Sequence, residues 1–403
     1  MGRRLMTPRR WTAVAWIVVT TPFVLLILLQ WLSSIRRGDI YTDFGGYYAL
    51  AWLGLHHGWA ALYDLDLQRQ AWSAIGPVTW YPNMYPPLVA WVAVPFTWLP
   101  FPAAYALWSL LLLVLLFASW WLAAGGGRIV KAAQICAAVS LLPLGFGLRI
   151  GQVVFLELAA VVVCWFLLSR RSDALAGLAL AVIAIKPQVA FLVPLALLAN
   201  GRGRAFAAWA IATLVIGGVE LLAMGSAAVQ VYLVRVMTSS AHPEVLGLQL
   251  DQSLPGLLGH GSAALGAQLA VVAAVAWIAW RWRRSGIEIP IAAALIGSLL
   301  VTPFLHVEDF AMLVPAAWLF LRVRSGALDL LVLAFGYVAC QLALGGGLPI
   351  VMLELAWLVM LLLRQPPAAG VASAPPSHHR PRSARQEQDP GRETAASFEI
   401  VAK

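Results

Sequence analysis

Three groups of polar residues in this chain are placed to do chemistry. Asp43 lies in Asp39-Ile40-Tyr41-Thr42-Asp43-Phe44-Gly45-Gly46-Tyr47-Tyr48. A carboxylate among aromatic rings has its pKa raised and suits a general base. The same acid also suits the cap of a helix beginning near Gly45, and Asp39 competes for the catalytic role. Lys186 ends a short apolar segment and Pro187 follows it. A lysine in a membrane segment costs about 2.5–3.5 kcal/mol, so it needs a partner or a task. Its compact ammonium fits a phosphate, although snorkelling to the interface is the plainer alternative.

The third group is His306, Glu308 and Asp309, after Pro303. His306 and Asp309 share a face if this turn is helical. They could relay a proton, contact a sugar or bind a metal, but two ligands alone are a weak metal signal. Gln152, Glu157 and Gln252 are polar residues of the kind that hold sugar hydroxyls. Glu220 and Glu354 sit in other apolar segments and read as packing residues, as do Cys136, Cys164 and Cys340. There is no Gly-rich loop followed by Lys-Ser/Thr and no GxGxxG after a strand, so a cytosolic nucleotide site has no visible home.

The elements that must position these residues are membrane helices. The 403 residues are 61% hydrophobic and only 11% charged, with a mean hydropathy of +0.82. Apolar stretches of about 18 residues recur along the chain, which excludes a soluble α/β protein. The net charge of +9 reflects short basic clusters between segments and in the tail, a pattern of membrane orientation and not of nucleic-acid binding. Candidate spans are 11–32, 103–124, 130–148, 152–169, 174–186, 187–200, 205–224, 262–282, 287–303, 307–322, 327–344 and 348–363. The first is too long for a signal-peptide core and no small-x-small site follows, so it reads as an uncleaved span. Segment 86–100 is apolar but interrupted by Pro95 and Pro100 and reads as shallow or re-entrant. The chain from Arg364 to 403 is poor in large apolar residues and reads as a disordered cytoplasmic tail.

Placing the basic clusters inside gives 12 crossings with both ends in the cytoplasm; Arg36 and Arg37 are the exceptions. This topology sends two long loops outward, 33–85 and 225–261, together with the Gly151-Gln152 turn, the Lys186-Pro187 turn and the stretch Thr302 to Asp309. Residues 45–72 look like amphipathic helices lying on the membrane, with Tyr, Trp and Leu opposite Asp64, Asp66 and Arg69.

The ordered set Asp43-Phe44-x-x-Tyr47-Tyr48, Leu62-Tyr63-Asp64, Tyr85-Pro86-Pro87-Leu88, Gly151-Gln152, Gly177 to Lys186-Pro187, Asp251-Gln252-Ser253-Leu254 and Thr302-Pro303-x-x-His306 resembles glycosyltransferase family 87. No single motif is strong, but the series covers 39–310 in order. The resemblance implies an all-α polytopic membrane protein of GT-C fold with about 12 transmembrane helices. It implies an inverting α-mannosyltransferase of the actinobacterial phosphatidylinositol mannoside or lipomannan type. The donor would be polyprenyl phosphate mannose, the acceptor a lipid-anchored mannoside, the linkage α-1,2, and the site on the outer face of the plasma membrane. Asp43 would be the base, Lys186 would hold the donor phosphate, and His306 would lie near the acceptor or relay the proton. Tyr47, Tyr85, Gln152, Gln252 and Asp309 would be substrate contacts. Phe44 stands where many GT-C enzymes carry a second acid, so no metal or other cofactor is expected. The expected partners are these two lipids and the bilayer, with no nucleic acid, and the chain is expected to be a monomer. The rival reading, a flippase for polyprenyl-linked glycans, requires inverted repeats and midplane charges, and no clear repeat is visible.

Overall fold

The computed structural model describes residues 8–37, 43–75, 80–241, 252–259, 261–303, 305–323 and 326–366. Asp39, Asp251 and the tail from 367 lie outside them. Every regular element among the described residues is a helix: α1 (Pro8–Arg37), α2 (Asp43–His57), α3 (Leu65–Ser73), α4 (Pro87–Ala93), α5 (Phe101–Ala123), α6 (Arg128–Val139), α7 (Leu142–Ile150), α8 (Val154–Ser169), α9 (Asp173–Leu180), α10 (Leu192–Ala199), α11 (Gly203–Ala241), α12 (Leu254–Leu258), α13 (Ser262–Arg281), α14 (Glu288–Val301), α15 (Leu313–Arg322), α16 (Ala327–Gln341) and α17 (Leu348–Leu363). Short 3-10 turns extend several of them.

Helix α14 is the central post. Ile289 to Val301 are all buried, and α10, α13, α15 and α17 pack around it. A helix that is apolar on every side belongs in a core. The outer helices instead turn large apolar side chains outward, such as Leu214 and Leu222 on α11 or Leu25 and Leu29 on α1. Apolar surface on that scale fits lipid, not water.

Among the described residues four helices are long and apolar enough to cross a membrane: Arg10–Arg36, Phe101–Ala123, Gly203–Val236 and Ser262–Arg281. A fifth arises if the pair α6 and α7 counts as one span. The expected single span 130–148 is thus broken, with a bend of 64°. Pro143, at the start of α7, has no N–H to continue the ladder of α6. The remaining apolar helices have 10–17 residues. At 1.5 Å per residue, 16 residues reach about 24 Å, short of a hydrocarbon core of about 30 Å. Helix lengths therefore carry fewer full crossings than the twelve expected from charge.

Other expectations are corrected. Half of the expected loop 225–261 is helix, because α11 runs on to Ala241 across a kink at Gly225 (φ 72°). Helix α2 does not lie on the surface; nine of its residues, from Phe44 to Gly54, are buried. Only α3 keeps the amphipathic form, with Asp64 capping it and Asp66 paired with Arg69 at 3.1 Å. Segment 86–100 is α4 plus a 3-10 turn over Val94–Trp98, as its prolines imply. At the C-terminus, Arg364 pairs with Asp329 at 3.1 Å and so belongs to the helical body.

Candidate active site

The α7–α8 turn is the anchor. Gly151 ends α7 at φ 74°, a left-handed conformation that suits glycine. A Cβ there would lie 2.7 Å from the Cβ of Phe44. Glycine thus lets the start of α2 rest on this turn. Phe44 then stacks on Trp108 (ring centroids 5.0 Å apart), whose Nε1 donates to Gly151 O at 2.8 Å. Asp43 is fixed beside the next residue, Gln152.

Gln152 is fully buried and uses every polar atom. Its Oε1 accepts from Tyr47 Oη at 2.7 Å, Tyr85 Oη at 3.1 Å and Val153 N at 2.9 Å. Its Nε2 donates to Asp43 Oδ2 at 2.5 Å and to Glu308 Oε1 at 2.9 Å. One amide nitrogen therefore holds two carboxylates. Tyr81 Oη donates to the other oxygen of Asp43 at 2.5 Å.

Lys186 reaches the same cluster from the α9–α10 junction. The residue before a proline disfavours the helical region, and Lys186 is non-helical at φ −147°, ψ 70°. Its ammonium is buried, hydrogen-bonded to Asp309 Oδ1, and 4.0 Å from Glu308 Oε1. Asp309 Oδ2 accepts from the backbone N of His306 at 3.0 Å, closing a turn that begins the 3-10 segment Val307–Met312. His306 and Asp309 are therefore joined backbone to side chain. The His306 ring stays 39% exposed, with Nδ1 3.9 Å from Glu308 Oε1. Glu157 on α8 is buried close to Lys186 and Asp309, with no side-chain hydrogen-bond partner.

Burial pushes the Asp43 carboxyl up from its ordinary value; the Tyr81 hydrogen bond, Lys186 and His306 pull it partly back. Burial also raises the Tyr47, Tyr81 and Tyr85 phenols, so they remain protonated donors. The arrangement offers a half-buried, oriented carboxylate beside a lysine–aspartate pair and an accessible imidazole. Such a set can take a proton from a hydroxyl and stabilise a nearby charge. Among the described residues no group of three His, Cys, Asp or Glu is placed to hold a metal ion.

Seven of the eight expected site residues, namely Asp43, Tyr47, Tyr85, Gln152, Lys186, His306 and Asp309, meet here. They come from four connections that the charge pattern sends to one face. Gln252 is buried and donates to Ala343 O at 2.8 Å, in the turn after α16. Tyr81 was not foreseen. Nothing in Trp80-Tyr81-Pro82 marks it, and only the fold of the loop brings it to an acid 38 positions away. That fold is held by Gln68, which bonds the backbone of Leu62 and Asn83, and by Tyr63 Oη on Tyr85 O. Glu220, read as a packing residue, accepts from Leu88 N at 2.9 Å and pins the start of α4.

No curated protein and no solved structure matches the chain. The sequence model of glycosyltransferase family 87 matches residues 83–307, which takes in Tyr85, Gln152, Lys186 and His306. That match covers more than half of the sequence, and the chain belongs to glycosyltransferase family 87.

Proposed function

We propose that this glycosyltransferase moves mannose, with inversion, from polyprenyl phosphate mannose to a lipid-anchored mannoside at the outer face of the plasma membrane. The observation that supports this most is the single hydrogen-bonded network joining Asp43, Gln152 and Glu308 beside the Lys186–Asp309 pair. Asp43 accepts the proton of an acceptor hydroxyl as that oxygen bonds to the anomeric carbon. The bond from that carbon to the phosphate oxygen breaks, and polyprenyl phosphate leaves with the electron pair. Tyr81 and Gln152 fix the direction of the Asp43 lone pairs, which an alcohol nucleophile needs. Lys186 shares its charge between Asp309 and the leaving phosphate. The exposed His306 ring passes the proton onward. The reaction so written needs no metal.

Short helices suit such a site. Those ending at Lys186 and His306 are too short to reach across a bilayer, so the residues at their ends sit in a recess that two lipid substrates enter sideways. On this reading the recess faces outward, as the distribution of basic clusters favours, within a GT-C fold spanning 1–363, and the chain acts as a monomer.

The test is Asp43→Asn in membranes supplied with labelled polyprenyl phosphate mannose. Transfer falls by about 10²–10⁴-fold, the usual worth of a positioned base. Undiminished transfer overturns the mechanism. Transfer of a different polyprenyl-linked sugar, with mannose refused, overturns the choice of donor.

A further inference from the structure

We propose that Arg149 and the end of α1 form a binding site for the phosphate of a membrane lipid, separate from the Asp43 network. A cleft of about 400 Å³ is lined by Leu29, Gln30, Ser33, Ser34 and Arg149. Arg149 lies in the last turn of α7, three residues before Gln152. Its guanidinium sits 5.2 Å from the Phe146 ring and has no carboxylate partner among the described residues. Three other half-buried arginines have partners: Arg202 has Asp173, Arg364 has Asp329, and Arg281 donates to Leu362 O at 2.7 Å. An unmatched arginine at the edge of a membrane segment is costly unless something anionic completes it.

The lining defines that ligand. Guanidinium is planar and matches phosphate with paired N–H donors. Gln30, Ser33 and Ser34 add neutral donors, and among the described residues no carboxylate lines the cleft, so it takes an anion and not a cation. The lipid part follows from α1, whose Leu25, Leu26 and Leu29 are 54%, 52% and 64% exposed on the same helix. A headgroup in the cleft leaves its chains running along that apolar surface.

The cleft also shares a wall with the catalytic network. Tyr105 Oη donates to Arg149 O at 2.5 Å and accepts from Trp31 Nε1 at 2.9 Å, joining α1, α5 and α7. The Tyr105 ring is 6.3 Å from that of Phe44, the neighbour of Asp43. Asp43, Glu157, Glu308 and Asp309 surround the one lysine, Lys186, which Asp309 already matches. An anionic lipid therefore receives only part of the Lys186 charge there and gains from a second cation. Whether the phosphate is that of the donor or of the acceptor headgroup rests on the transferase reading; the site itself does not.

The full chain in detergent is titrated with farnesyl phosphate and with dioctanoyl phosphatidylinositol, using dioctanoyl phosphatidylcholine as the control. At least one anionic probe binds. Arg149→Gln weakens it about tenfold or more, as expected for a charge-assisted contact, and Arg149→Lys weakens it less. Ser33→Asp, on a partly exposed position that folding tolerates, weakens it by repulsion. Loss of farnesyl phosphate identifies the donor, docked apart from Lys186, as the occupant, and loss of the inositol lipid identifies the acceptor. The proposal is overturned if neither probe binds, if Arg149→Gln binds them as the parent does, or if the control weakens equally. Asp43→Asn keeps probe binding. If that variant also keeps full transfer, the mechanism falls while the lipid site stands; unchanged binding in Arg149→Gln removes the lipid site alone.

Discussion

Glu308 and Glu354 are the same residue type, both buried, in two parts of one helical body, and they are wired differently. Glu308 accepts from Gln152, with Lys186 4.0 Å and His306 3.9 Å away. Neither oxygen of Glu354 has a hydrogen-bond partner, and the neighbouring Trp357 Nε1 has none either. Nothing around Glu354 supports an ionised carboxylate. Burial of an acid is thus no mark of function in this protein. What distinguishes Glu308 is that its carboxylate is tied into the Gln152 and Lys186 connections, because a half-satisfied buried network costs more than an apolar core.

The largest effect should come from cutting the one charge pair that holds the network. Lys186→Met leaves Asp309 buried without its counterion, which costs about 3–5 kcal/mol. The double variant Lys186→Met/Asp309→Asn removes both charges and should regain most of that loss while staying inactive. Thermal unfolding of the purified chain in detergent measures both. If the single variant is as stable as the parent, Lys186 and Asp309 are not a structural pair.

Next comes the contrast between the two glutamates. Glu308→Gln removes a negative neighbour of Asp43 while keeping an acceptor for Gln152. Asp43 then ionises more readily, and the acid limb of the transfer rate should move to lower pH. Glu354→Gln has no such link and should leave the pH profile in place, with stability changed by less than about 1 kcal/mol. Equal shifts in both variants would break the distinction drawn from wiring.

Much of the site was legible in the sequence, because the spacing of basic clusters along the chain groups the polar residues Asp43, Gln152, Lys186 and His306 as one set of connections. Asp43, Lys186 and His306 were each found by an isolated polar side chain next to an apolar run. Pro187 and Pro303 mark where helices must stop, and the stops place Lys186 and His306. The sequence could not show how the connections close on each other. Gln152 looked like one amide among several, yet it proves to be the centre, while the similar Gln252 ties down a turn at Ala343. Both are buried polar residues beside glycines or serines, and only three-dimensional neighbours separate them. Helix lengths were misjudged for a related reason. Hydropathy reports apolar content and is blind to a bend such as that between α6 and α7, or to a helix such as α11 continuing past Gly225.

The smallest effect concerns Tyr81, and its sign can be worked out. Burial raises the pKa of Asp43, while the Tyr81 hydrogen bond favours the ionised form and lowers it. Tyr81→Phe removes only that bond, so the carboxyl rises further. A base must be ionised to act, so the acid limb of the rate moves to higher pH, opposite to Glu308→Gln. One hydrogen bond to a charged group is worth about 1.5–3 kcal/mol, an upper bound of about one to two pH units, with less expected because water can replace the phenol. Stability moves the other way. A carboxyl with a raised folded pKa supports the fold below its unfolded pKa and loses that support as pH rises through the folded value. Asp43→Asn removes the ionisation, so above the folded pKa it should be more stable than the parent while transferring little sugar. A parallel pH series of rates and unfolding temperatures for the parent, Tyr81→Phe and Asp43→Asn measures both quantities. An acid limb that stays in place in Tyr81→Phe would show that the phenol only packs against Asp43 and does not tune it.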